Sequence, residues 1–120
     1  MIRMIKGPSL IKAPGILEKK IEEYFGNVNS KSGDVSIALM NSPSGWEEPF
    51  QKPSFDEYTV VLDGELRVEC GGAVYDVKAG EAILVGKNER VRYSTPAEGG
   101  ARYLAVCLPA FSPDTVHREN

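Results

Sequence analysis

The sequence predicts an all-β domain, a sandwich or a barrel, and three observations lead there. From Val35 onward, short runs rich in β-branched and aromatic residues recur along the chain. Turn signals separate them at roughly the 8–12-residue rhythm of sandwiches and barrels. No helical pattern lies between the runs, which disfavours a parallel sheet built from βαβ units.

Pro8, Pro14 and Gly15 punctuate the start of the chain. Residues 16–25, ILEKKIEEYF, place Ile16, Leu17, Ile21, Tyr24 and Phe25 near one helical face. The reading is a short helix stopped by Gly26, with a strand as the alternative. Residues 27–34 read as a polar loop. Residues 35–40 form a short apolar strand, followed by Pro43 and Gly45. Residues 58–62 are rich in β-formers, and Asp63-Gly64 after them is a two-residue hairpin signal. Leu66, Val68 and Cys70 then alternate with Glu65, Arg67 and Glu69, the pattern of a half-buried strand. Gly71-Gly72 marks a second hairpin, 74–77 a further strand, and Ala79-Gly80 another turn. Residues 83–85, 91–95 and 103–108 supply three more strands. The tail leaves at Pro109, where Phe111 and Val116 can pin it to the barrel. Two units follow: residues 1–34 as an N-terminal arm packing on the barrel or on a partner, and 35–120 as the barrel with its C-terminal tail.

Composition sets the limits. The chain has 120 residues, 42% hydrophobic and 26% charged, which suits one domain with a real core. Its net charge of -3 gives no basic excess to gather nucleic-acid phosphates. No apolar run approaches the ~20 residues that span a bilayer. The opening MIRMIKGPSLIK lacks the apolar stretch of a secretory signal, so a cytoplasmic location is expected. Cys70 and Cys107 lie in apolar strand-like runs and read as small buried hydrophobes. His117 is the one histidine, so no two- or three-histidine metal centre can form within one chain.

Two spaced motifs carry most of the remaining information. Five residues separate Gly45 from Gln51, one separates Gln51 from Pro53, three separate Pro53 from Glu57, and six separate Glu57 from Gly64. Later, Gly80 is followed by Gly86, Asn88, Val91 and Thr95. The pattern resembles the two signature motifs of the cupin superfamily, over roughly residues 35–110. Gly45, Glu57, Gly64 and Gly80 stand where the family has them. Gln51, Pro53 and Val91 stand where metal-bearing members have histidines. Gly86 replaces a proline and Asn88 a glycine in the second motif. The resemblance implies a jelly-roll-like barrel of six to eight strands, a double-stranded β-helix, and a homodimer whose arm can add a strand to a partner's sheet edge. It implies no resident cofactor. A divalent metal would need ligands outside the usual positions, such as Glu57 with Gln51 and water, or with His117.

Strand alternation then places side chains. If Glu57 faces the interior, so do Thr59 and Val61. Val91 and Tyr93 face in, and Arg90 and Arg92 face out unless the register slips by one. On the last strand Tyr103, Ala105 and Cys107 share one face. The expected cavity therefore holds Gln51, Glu57 and Tyr93, with Tyr103 or Cys107, among apolar walls, which suits a small organic ligand. Glu57 is the candidate acid/base and Tyr93 its candidate catalytic partner. Trp46, beside Glu47 and Glu48, is a candidate lid, dimer contact or ligand-stacking surface. His117 reads as a solvated tail residue, with a place at a barrel mouth as the alternative.

Three functions fit. The first is a small-molecule-binding cupin without the usual metal centre. The second is a metal-independent isomerase or lyase acting on a small polar metabolite through Glu57. The third is a structural, oligomer-forming barrel, which a filled interior would favour.

Overall fold

The computed structural model describes residues 1–119. Nine strands and one short helix run in the order β1 (Ser9–Lys12), β2 (Lys20–Phe25), β3 (Ser36–Ser42), β4 (Trp46–Glu47), β5 (Asp56–Cys70), β6 (Ala73–Lys78), β7 (Ala82–Val85), β8 (Val91–Thr95), β9 (Ala101–Leu108) and α1 (Pro113–Val116). All pairings between strands are antiparallel. The path β1-β2-β3-β9-β5-β8-β4 is continuous, and β6 and β7 both pair with β5. This is a curled, jelly-roll-like all-β barrel.

Strand β5 organises it. Its first half, from Asp56 to Gly64, pairs with β9, and residues 57–60 pair with β7 on the other side. Its second half, from Glu65 to Cys70, pairs with β6 and β8. The strand turns the corner between the two sheets at a bulge beside Val61 and Asp63. Here the structure corrects the sequence reading. Asp63-Gly64 is not a hairpin turn, because β5 bends there but continues through it as one strand. Gly64 has φ 77°, as expected, but for a different reason: a Cβ there would lie 2.1 Å from the Gly100 carbonyl oxygen. The Gly71-Gly72 hairpin is present, with φ 62° and 78° and Cys70 paired to Ala73.

Residues 20–25 are a strand, not the last turns of a helix. Ile21 pairs with Met40 of β3, and Ile11 of β1 pairs with Ile21 from the other side. These long-range ladders outweigh a weak local helical pattern. The buried Glu23 carboxylate accepts the backbone N–H groups of Val28 and Asn29 and so fixes the loop after β2. Strands β1 and β2, which belong to the expected arm, thus lengthen the sheet of the barrel, whose own strands among the described residues are the seven from β3 to β9, within the expected six to eight.

The inner faces meet in one main core of Trp46, Val61, Leu66, Val68, Val77, Val85, Val91, Tyr93, Ala101 and Tyr103. A second cluster joins Phe55, Cys107 and Val116, with Phe111 packed against it, so the tail is pinned as expected. Both cysteines are free thiols. Among the described residues, no helix is long and apolar enough to cross a membrane.

Candidate functional site

Alternation along three strands delivers polar groups to one end of the barrel. On β5, Glu57 faces in with buried Thr59 and Val61. On β8, Val91 and Tyr93 are buried, while Arg90 and Arg92 lie outside. Arg90 pairs with Glu119, and Arg92 pairs with Glu69 and Glu47. The register is therefore the one in which neither arginine reaches the interior. On β9, Tyr103, Ala105 and Cys107 are buried.

These side chains surround an interior cavity of about 60 Å³. Glu48, Gln51, Glu57, Tyr93, Tyr103 and Cys107 line it, together with Lys19 and Arg118. A larger open groove of about 860 Å³ lies outside the barrel, beside Lys20, Asp63, Glu98 and Arg102. Those four side chains are exposed and of mixed sign, and none of the buried unpartnered polar atoms lies there. The interior cavity is the candidate site.

Of the residues expected there, Gln51, Glu57, Tyr93 and Tyr103 are brought together. Gln51 is held by a two-way backbone bridge to Val91, at 2.9 and 2.8 Å. Its side-chain oxygen is buried without a partner. The Tyr103 hydroxyl meets Ser42 Oγ at 3.0 Å. Trp46 does not belong to the site: it is 1% exposed within the core and is neither a rim lid nor a cavity wall. Its ring instead supports Lys19, whose Nζ lies 4.1 Å from the ring centroid. His117 also stays away. Its Nε2 meets Ser54 Oγ at 2.9 Å on the exposed surface.

Three site residues escaped the sequence reading: Lys19, Glu48 and Arg118. Glu48 had a signal. Trp46 faces in and Glu47 faces out, so alternation carries Glu48 inward. Lys19 and Arg118 had none, because their places depend on how the chain's two ends fold back over the barrel.

The electrostatics follow from burial. Desolvation pushes the Glu48 carboxyl up from 4.5 to about 7. Lys19 and Arg118 oppose that rise, while neighbouring Glu57 adds to it. Glu57 is raised too, first by burial, with Lys19, Tyr93 and Arg118 pulling the other way. Glu57 lies deep, yet its carboxyl borders the cavity and keeps some surface open to it. Tyr93 is pushed well above its ordinary range by burial and then by the two glutamates, so it stays a neutral hydroxyl. That hydroxyl approaches Glu57 without forming an aligned hydrogen bond to any described group. Burial likewise raises the Cys107 thiol, which makes it a poor nucleophile.

The fold and this interior site define a class: a β-barrel that encloses a small polar cavity. The Cupin domain family model matches residues 38–107, more than half of the chain, and the chain belongs to that family. An endoribonuclease YbeY from Myxococcus xanthus is 39% identical over 118 residues, covering 98% of this chain and 39% of that protein. An acetate kinase EutQ from Salmonella typhimurium is 35% identical over 57 residues, covering 48% of this chain and 24% of that protein. The chain thus spans about two fifths and one quarter of these relatives. The structure of the polyketide cyclase RemF from Streptomyces resistomycificus aligns with TM-score 0.75 at 19% identity, over 100% of this chain and 86% of that one. That likeness is one of fold.

Members of the family often hold a metal, and the residues here do not fit one at the usual place. Pro53 and Val91 carry no donor, and Gln51 offers only an amide. Lys19 and Arg118 add two positive groups to the same cavity. Among the described residues, no cluster of three or more histidine, cysteine or acidic side chains is placed to hold an ion.

Proposed function

We propose that the chain is a small-molecule-binding cupin that works without the family's usual metal centre. One observation carries the reading. Glu48 Oε2, Gln51 Oε1, Tyr93 OH and Arg118 Nε are all buried without hydrogen-bond partners, and their residues line one cavity. Buried polar groups are costly when unpaired, and such groups around a cavity are what a ligand would satisfy. The endoribonuclease named above is a relative of which this chain spans 39%. A cavity of about 60 Å³ is far smaller than the ~300–1,000 Å³ of drug-sized ligand sites, and leaves no room for a nucleotide. The structural-barrel alternative loses ground because the interior is not filled.

A second reading, a metal-independent isomerase or lyase, is favoured by the carboxyl of Glu48 near 7 beside Glu57. An acid poised near neutral pH can both give and take a proton. In that reading Glu57, raised in the same direction, is the expected acid/base, Glu48 beside it can share the proton, and Tyr93 is a hydroxyl donor. Glu57→Gln separates the two, with isothermal titration and turnover measured once a ligand is found. A binder should lose about tenfold in affinity and have no turnover to lose. An enzyme should lose turnover while keeping much of its affinity.

The expected homodimer also remains a proposal. The outer face of the sheet presents Tyr58, Val60, Leu62, Leu84 and Leu108, all partly exposed, with Leu104 and Val106 between them. An apolar face of this kind marks an interaction surface, and a second copy offers the same face in return. The arm strands already pair within their own chain, so no strand exchange is needed. A monomer by light scattering at micromolar concentration would remove this proposal.

A further inference from the structure

Lys19 and Arg118 come from opposite ends of the chain, and both lie outside the matched residues 38–107. The family segment supplies the two acids and the amide, and the flanking segments supply the two cations. The four charges act on one another, since both cations lower the raised acids. Yet none of the ion pairs among the described residues involves Lys19 or Arg118. Arg118 Nε is buried and unpartnered, and its guanidinium lies 5.5 Å from the Phe111 ring centroid. Lys19 stands over Trp46 and, at 5.1 Å, over Tyr103. Opposite charges therefore border one cavity without closing onto each other. Partly buried charges left open in this way are costly, and a bridging occupant would compensate both signs.

The occupant's chemistry follows. It needs an anionic end for Lys19 and Arg118, and a hydrogen-bond donor for Glu57 and Glu48. About 60 Å³ has room for roughly four to six water-sized groups, which means about two or three carbons with their polar atoms. We infer that the cavity binds a small carboxylate bearing a hydroxyl or amino group on the adjacent carbon, its carboxylate held between Lys19 and Arg118. This deepens the binding reading above and rests on it.

The test uses the full chain at pH 6 and pH 8, by isothermal titration and thermal melting. The probes are glycolate, lactate, glycine and alanine, against acetate (no donor) and glycolamide (no charge). The acids with a donor should bind and raise the melting temperature, and glycolamide should not. Which pair binds, hydroxy or amino, assigns the donor. Lys19→Gln and Arg118→Gln should each weaken binding about thirtyfold or more, and Lys19→Arg should restore most of it. The acid–amide comparison needs no variant and so does not depend on a variant folding. Equal binding of glycolamide, or full affinity in Lys19→Gln, overturns the inference while leaving the cavity a ligand site. Acetate binding as tightly as glycolate overturns the part played by the donor. No binding by any probe overturns the inference too. A crystal structure then decides the earlier reading separately: an organic group in the cavity keeps it, and a side-chain-filled interior removes it.

Discussion

The two halves of β5 face opposite kinds of interior. Beyond the bend, Leu66 and Val68 are fully buried and pack in the apolar core with Val77 and Val91. Before the bend, Glu57 borders a cavity shared with Glu48, Gln51, Tyr93, Lys19 and Arg118. One strand thus carries a dry, close-packed half and a half with open charge. The difference teaches where stability comes from. A barrel can hold unpaired polar groups at one end because apolar packing at the other end supports the fold.

Truncation in the dry half should cost most. Leu66→Ala should lower unfolding free energy by roughly 2–5 kcal/mol in urea titrations, since the closed core cannot collapse around the missing methyls. A loss under 1 kcal/mol would mean that this half is looser than its burial implies. The polar half should respond to pH instead. Glu48 titrates near 7 when folded and near 4.5 when exposed. Between those values the folded chain holds more protons than the unfolded one, so stability falls as pH rises. The loss should begin above pH 4.5, level off just above 7, and amount to about 3 kcal/mol for Glu48. Glu57, raised in the same direction, adds to the fall. Glu48→Gln should flatten most of this slope and make the protein more stable than wild type at pH 8. Urea midpoints at pH 5 and pH 8 check it, and a wild-type midpoint that rises with pH would contradict the placement of Glu48. The bend between the halves should resist any side chain. Gly64→Ala should cost more than the roughly 1–3 kcal/mol of positive-φ strain alone, because its Cβ would lie 2.1 Å from the Gly100 carbonyl oxygen and force β5 and β9 apart. If it also alters ligand affinity, the two halves are coupled through the bend.

What the sequence made legible follows the same division. The alternation in 65–70 and 91–95 is period two with one face apolar, so burial along those strands could be read directly, whereas 103–108 is apolar on both faces and only its pairing with β3 and β5 decides which face is inward. Residues 20–25, KIEEYF, mix charge and apolar groups without clean alternation, and a buried Glu23 breaks the pattern further. Their strand exists because β1 and β3 flank it, which no local window contains. Asp63-Gly64 misled because a glycine with positive φ serves a close approach as readily as a turn. In the site, motif spacing located Gln51 and Glu57 and alternation located Tyr93 and Tyr103. Lys19 and Arg118 stayed hidden because exposed-looking residues near chain ends become cavity walls only through tertiary folding. His117 drew notice as the one histidine, while its neighbour Arg118 turns inward.

That the cations sit on the chain's two ends has a consequence for how such a protein can change. Neither Lys19 nor Arg118 belongs to the named strands. Replacing either alters the charge presented to an occupant while leaving the barrel's hydrogen-bonded frame in place. Under the proposed binding role, substitutions in these two segments flanking the matched residues change the charge lining the cavity without touching a named strand, so the barrel serves as fixed hardware and the flanking segments as interchangeable fittings.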